Sequence, residues 1–162
     1  MEKIESFRID HNLLKSGVYV SRVDKLGGYD ITTYDLRVRS PYDEAPLTGA
    51  EAHTIEHICA TWLRNKDVLK DRVVYFGPMG CLTGFYMILA GEPDAAEAAG
   101  IAKEMFEYVA GFTGEIPGAS RVECGNYLFM DLPEAKKTAR RYVDEVLTDI
   151  KPERLNYPTN DK

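Results

Sequence analysis

Two runs rich in β-branched and aromatic residues, Gly17-Val-Tyr-Val-Ser-Arg-Val23 and Ile31-Thr-Thr-Tyr-Asp-Leu-Arg-Val-Arg39, flank Asp24-Lys-Leu-Gly-Gly28. Such side chains suit a pleated, packed surface, and the glycines permit a turn, so the segment predicts an antiparallel hairpin. In the second run Tyr34, Leu36 and Val38 share one face, and Thr33, Asp35, Arg37 and Arg39 share the other. That alternation predicts one apolar side and one side able to meet water or a ligand.

Apolar residues then recur at helical spacing at Ile55, Ile58, Trp62 and Leu63, predicting a helix from Glu51 to about Leu69. Arg72–Phe76 reads as a short buried strand, followed by a bend over Gly77-Pro-Met-Gly80. Thr83 is placed to cap a helix through Ala90, Gly91-Glu-Pro93 breaks it, and an alanine-rich helix follows over Asp94 to Ala110. After an irregular stretch from Gly111 to Gly118, Gly125-Asn-Tyr-Leu-Phe-Met130 reads as a strand. Asp131 caps a last helix with Pro133 in its first turn, running to about Ile150. Residues 1–162 read as a single domain, with a loose polar tail from about 151.

A balance of 20 Lys+Arg against 26 Asp+Glu, net −6, lacks the basic footprint of phosphate-backbone binding, so no nucleic-acid partner is expected. No apolar run approaches the roughly 18 residues of a membrane span, and the first residues lack the apolar core of a signal peptide. A cytoplasmic protein without a membrane partner is the expectation. The three cysteines, Cys59, Cys81 and Cys124, are then free or metal-bound rather than a disulfide framework.

The sharpest chemical motif is His53-Thr-Ile-Glu-His57 within the first predicted helix. At 100° per residue these two histidines and Glu56 project within an arc of about 100°. Two imidazoles one turn apart can hold a transition-metal ion, while the carboxylate beside them serves as acid or base. A third ligand is required, and a thiolate suits such an ion. Cys59 lies on the far side of the helix and reads as a buried thiol. Cys81 and Cys124 both sit next to glycines at loop boundaries, and spacing does not choose between them. If a helix opens just after Cys81, the positive end of its dipole favours a reactive thiol there.

Several segments taken together resemble the LuxS-type S-ribosylhomocysteine lyases. They are Ser6-Phe-Arg-Ile-Asp-His11, Asp35-Leu-Arg37, His53-Thr-Ile-Glu-His57, Gly77-Pro-Met-Gly-Cys-Leu-Thr-Gly-Phe-Tyr86, Ile116-Pro-Gly-Ala119, Cys124-Gly-Asn-Tyr127 and Asp131-Leu-Pro-Glu-Ala-Lys136. They occur in the family's order and spacing over nearly the whole chain. The resemblance implies an α+β fold, a mainly antiparallel sheet packed against helices, and a homodimer with active sites at the subunit interface. It implies one divalent metal ion per subunit, Fe(II) replaceable by zinc or cobalt, held by His53, His57 and Cys124. Glu56 and Cys81 match the acid/base positions, and Ser6, His11 and Arg37 match substrate-binding positions. The implied reaction is an aldose–ketose isomerisation of S-ribosylhomocysteine followed by β-elimination. It gives homocysteine and 4,5-dihydroxy-2,3-pentanedione, the autoinducer-2 precursor of quorum sensing, within the methyl cycle.

Tyr75 and Leu82 depart from the acidic and polar residues of many relatives, and Thr33 stands near a lysine position. Arg39 shares a strand face with Arg37 and competes for its role. Two rival readings remain in view. An inverzincin-like metallopeptidase also uses His-x-x-Glu-His and predicts a carboxylate third ligand. A structural metal site in a non-catalytic protein predicts four protein ligands.

Overall fold

In the computed structural model, which describes Glu2, Ile4 and residues 7–158, the two β-rich runs pair with one another. Strands β1 (Gly17–Leu26) and β2 (Tyr29–Arg37) are antiparallel, from Gly17 opposite Arg37 to Leu26 opposite Tyr29. Only Gly27 and Gly28 lie between them, with φ of 57° and 88°. Two positive-φ residues are what the tightest hairpin turn needs, and glycine supplies them without a Cβ clash. The strands therefore extend into the expected turn.

Next come α1 (Gly49–Asn65), β3 (Val73–Pro78), β4 (Gly84–Ala90), α2 (Ala95–Gly111) and α3 (Leu132–Tyr142), which continues as a π-helical segment over Val143–Leu147. Each helix starts at a side-chain cap. Thr48 Oγ1 accepts from the Glu51 N–H, Asp94 from those of Ala96 and Glu97, and Asp131 from that of Glu134. The sheet order is β1-β2-β4-β3 with every neighbouring pair antiparallel. Helices cover one face of this sheet, giving the α+β architecture. There Tyr34, Leu36, Phe85, Met87 and Leu89 meet Ile55, Ile58 and Leu63 of α1, Met105 and Phe106 of α2, and Ala139 and Tyr142 of α3.

Five sequence expectations are corrected. Residues 84–90 are the central strand β4 rather than a Thr83-capped helix. The bend expected at Gly77 begins only after Pro78, which β3 accommodates at the end of an edge strand. Gly125–Met130 forms turns rather than a strand. The polar side of β2 is not open: Thr33, Asp35 and Arg37 are all buried. Part of its cover is the tail, which is not loose as far as Pro158. Tyr157 stacks on Tyr19 with ring centroids 4.7 Å apart, and Arg154 donates to the Ser16 carbonyl at 2.8 Å. No helix among the described residues is long and apolar enough to cross a membrane.

Candidate active site

Helix α1 presents His53, Glu56 and His57 on one side, as its periodicity predicts. The connection between α2 and α3 folds back over that side. Its carbonyls fix both rings: His53 Nδ1 donates to the Phe129 carbonyl at 2.8 Å, and His57 Nδ1 to the Pro117 carbonyl at 2.7 Å. A carbonyl oxygen only accepts, so each Nδ1 carries the proton and each Nε2 keeps its lone pair for a ligand. The same connection delivers Cys124, whose Sγ lies 3.4 Å from His53 Nε2. Its end is pinned to α1, because the Asp131 N–H donates to Thr54 Oγ1 at 2.8 Å while that hydroxyl donates to the Ala50 carbonyl.

The three donor atoms all lie within 4.8 Å of one another. Tetrahedral coordination with bonds of about 2.0–2.3 Å needs donors roughly 3.3–3.7 Å apart, so small side-chain rotations close the set on one ion. Two neutral imidazoles with a thiolate are a donor set that transition metals favour. Glu56 lines an open cavity beside His57, together with Pro117, Gly118 and Glu123. It is thus adjacent to the cluster without belonging to it.

Cys81 occupies a different place. No helix begins after it, so the dipole expectation does not hold. It is exposed in the turn between β3 and β4, where Leu82 takes a positive φ of 55°. Its sulfur lies 3.1 Å from Thr83 Oγ1 and 3.8 Å from Arg37 Nη1. Arg37 Nη1 donates to Thr83 Oγ1 at 2.6 Å, which leaves the threonine hydrogen available to the sulfur. His11, Asp35, Arg37 and Tyr86 line one cavity with Cys81. This cavity belongs to the sheet face turned away from the helices, and it shares no residue with that of Glu56 and His57.

Arg37 is almost fully buried and forms a two-bond ion pair with Asp35, Nη2 to Oδ2 at 2.5 Å and Nε to Oδ1 at 3.1 Å. Burial works against the guanidinium charge, and the Asp35 carboxylate more than offsets it, so the Arg37 pKa ends raised. Burial pushes the Asp35 carboxyl up, while Arg37 and Tyr157 pull it back. Arg39 is engaged elsewhere: it donates to Thr138 Oγ1 at 2.8 Å and lies 3.6 Å from Glu51. Of the two arginines, Arg37 faces the cavity. Ser6 lies outside the described residues. Neither Tyr75 nor Leu82 lines the Cys81 cavity. Cys59 is buried in the core, and burial drives its thiol pKa far up.

Sequence reasoning placed none of Asp35, Thr83 and Tyr86 among the site residues. The available signal for Asp35 was its spacing of two from Arg37, which puts both on one strand face. Thr83 was assigned to a cap instead.

The family model described as S-ribosylhomocysteinase (LuxS) matches residues 4–153. The chain belongs to the LuxS family. An S-ribosylhomocysteine lyase of Desulfotalea psychrophila is 58% identical over 159 residues, covering 98% of this chain and 100% of its own length. Lyases of the same name from Clostridium acetobutylicum and Phocaeicola vulgatus are 49% and 46% identical, covering 98% and 99% of this chain and 99% and 100% of their own. LuxS membership and a thiol third donor both run against the peptidase reading, which requires a carboxylate there. The clustered donors number three among the described residues, short of the four of a closed structural site.

Proposed function

We propose that this LuxS-family chain is an S-ribosylhomocysteine lyase, a carbon–sulfur lyase that isomerises the ribose carbonyl and then expels homocysteine, leaving 4,5-dihydroxy-2,3-pentanedione. The observation that carries the reading is the cluster of His53, His57 and Cys124 with Glu56 beside it, in a chain that matches such a lyase over 98% of its length. His53, His57 and Cys124 hold one divalent ion, Fe(II) in the cell, with zinc or cobalt able to replace it. An ion held by these three residues would supply Lewis-acid polarisation of the sugar's oxygens.

The chain's own residues handle protons and orientation. Isomerisation removes a proton from a carbon beside a carbonyl and returns one to the neighbouring carbon. Elimination then removes a proton one carbon from the C–S bond, and the bonding electrons leave with the homocysteine sulfur. Glu56 and Cys81 are the two proton carriers, working within hydrogen-bond reach of the substrate carbons. His11 and Arg37 bind the substrate's polar groups beside Cys81, and Ser6 is a further substrate-binding residue.

Because the Cys81 cavity and the metal cluster belong to opposite faces of the sheet, one chain offers two half-sites. A homodimer joins the Cys81 half-site of one copy to the metal half-site of the other. The enzyme works in the cytoplasm, where its three cysteines, none in a disulfide, stay reduced.

The test is release of free thiol from S-ribosylhomocysteine by protein loaded anaerobically with Fe(II) or cobalt. Turnover far above the metal-free control is expected. No release above that control contradicts the reading.

A further inference from the structure

We infer that Tyr157, in the C-terminal tail, is a positioning residue for the Cys81 half-site, acting through Asp35 and Arg37; the inference rests on the lyase reading. A continuous chain of hydrogen bonds carries it. Tyr157 Oη donates to Asp35 Oδ2 at 2.8 Å. Both Asp35 oxygens hold Arg37, whose remaining nitrogen Nη1 reaches Thr83 Oγ1 and the Cys81 sulfur. A buried carboxylate with fewer donors gains a proton more easily, and a neutral acid no longer fixes a guanidinium by two charge-assisted bonds. Tyr157 thereby determines whether Arg37 faces Thr83 and Cys81 in one orientation.

The phenol is itself held. Its ring lies parallel to Tyr19, at a 10° interplanar angle. Burial and the Asp35 charge push its pKa far up, so it remains a donor throughout the working pH range. No other described residue after Leu155 bonds to a group lining the Cys81 cavity. The tail is therefore tied to this half-site by one hydroxyl. The other groups that act electrostatically on Asp35 or share its surroundings are His11 from the N-terminal segment, Tyr19 on β1, Tyr86 on β4, Tyr142 on α3 and Arg154 in the tail.

Tyr157→Phe keeps the stacked ring and deletes only the donor. In metal-loaded enzyme of equal metal content, the Asp35 proton is then lost at higher pH. The acid limb of kcat/KM moves to higher pH, so activity is lost most at the acid end of the profile and least at its alkaline end. Asn156→Ala, in an exposed side chain of the same tail, follows the wild type. In an Asp35→Asn background Tyr157→Phe has no further effect. Superimposed pH profiles, a uniform fall at every pH as from a merely structural tail, or an additive effect with Asp35→Asn overturns the inference. If the wild type releases no thiol, the lyase reading fails separately. The rate of Cys81 alkylation by iodoacetamide then decides: slower labelling in Tyr157→Phe supports the positioning role, and equal rates overturn it.

Discussion

Gly118 shows how closely single residues shape the metal cluster. It has a positive φ of 69°, and a Cβ there would lie 3.2 Å from His57 Nδ1, the atom whose bond to Pro117 orients the ring. Gly118→Ala should cost about 1–2 kcal/mol in left-handed backbone strain and also push the imidazole aside. The expected outcome is a lower melting temperature together with weaker metal retention against a chelator; unchanged retention would mean that the ring tolerates the shift. At this scale the motif His53-Thr-Ile-Glu-His57 was readable, because helical spacing alone puts its three functional groups on one side. The partners of those groups were not readable. The carbonyls of Pro117 and Phe129 lie 60 and 76 positions away in the chain, and local pattern carries no information about such contacts.

Between elements, the junction of α1 with the start of α3 governs where Cys124 sits. Thr54 both donates to Ala50 within α1 and accepts from the Asp131 N–H. Thr54→Val leaves that partly buried N–H without its partner, at a cost of about 1 kcal/mol. Thermal unfolding should record the loss, and metal affinity should fall with it, since the segment carrying Cys124 loses an anchor. A stability loss with unaltered metal affinity would separate the two roles. The hairpin was legible from its turn glycines, α1 from apolar spacing, α2 from its alanines and α3 from the Asp131 cap. Strand β4 was not: Gly84-Phe-Tyr-Met-Ile-Leu-Ala90 has apolar residues at nearly every position, because Phe85, Met87 and Leu89 face the helices while Tyr86 and Ile88 are half-covered on the other side. A continuous apolar run of that length does not distinguish strand from helix. The buried polar side of β2 escaped for a related reason. Its cover comes in part from a tail of mostly polar residues, whose packing depends on two tyrosines meeting across 138 positions.

At the scale of the whole molecule, the sheet separates the two sets of candidate site residues, Glu56 with His57 on one side and Cys81 with Arg37 on the other, which the proposed homodimer would bring together. Mixing chains carrying Glu56→Gln with chains carrying Cys81→Ala therefore tests the arrangement. Each homodimer is inactive, but every mixed dimer has one site with both residues intact. Random recombination should restore about one quarter of wild-type activity, because half of the dimers are mixed and each has one of two sites whole. Absence of recovery after exchange would place both proton carriers of a site on the same chain. None of this was visible in composition or periodicity. Which face of a sheet a loop cysteine joins follows from topology, and the topology depended on β4.

In the proposed site His53, His57 and Cys124 together hold the ion, and Glu56 and Cys81 do not. The thiolate-to-metal charge-transfer absorption of the cobalt-loaded protein tests it most directly. The band should be present in wild type, Glu56→Gln and Cys81→Ala, and absent from Cys124→Ala. Persistence of the band in Cys124→Ala, or its loss in Cys81→Ala, would contradict the assignment.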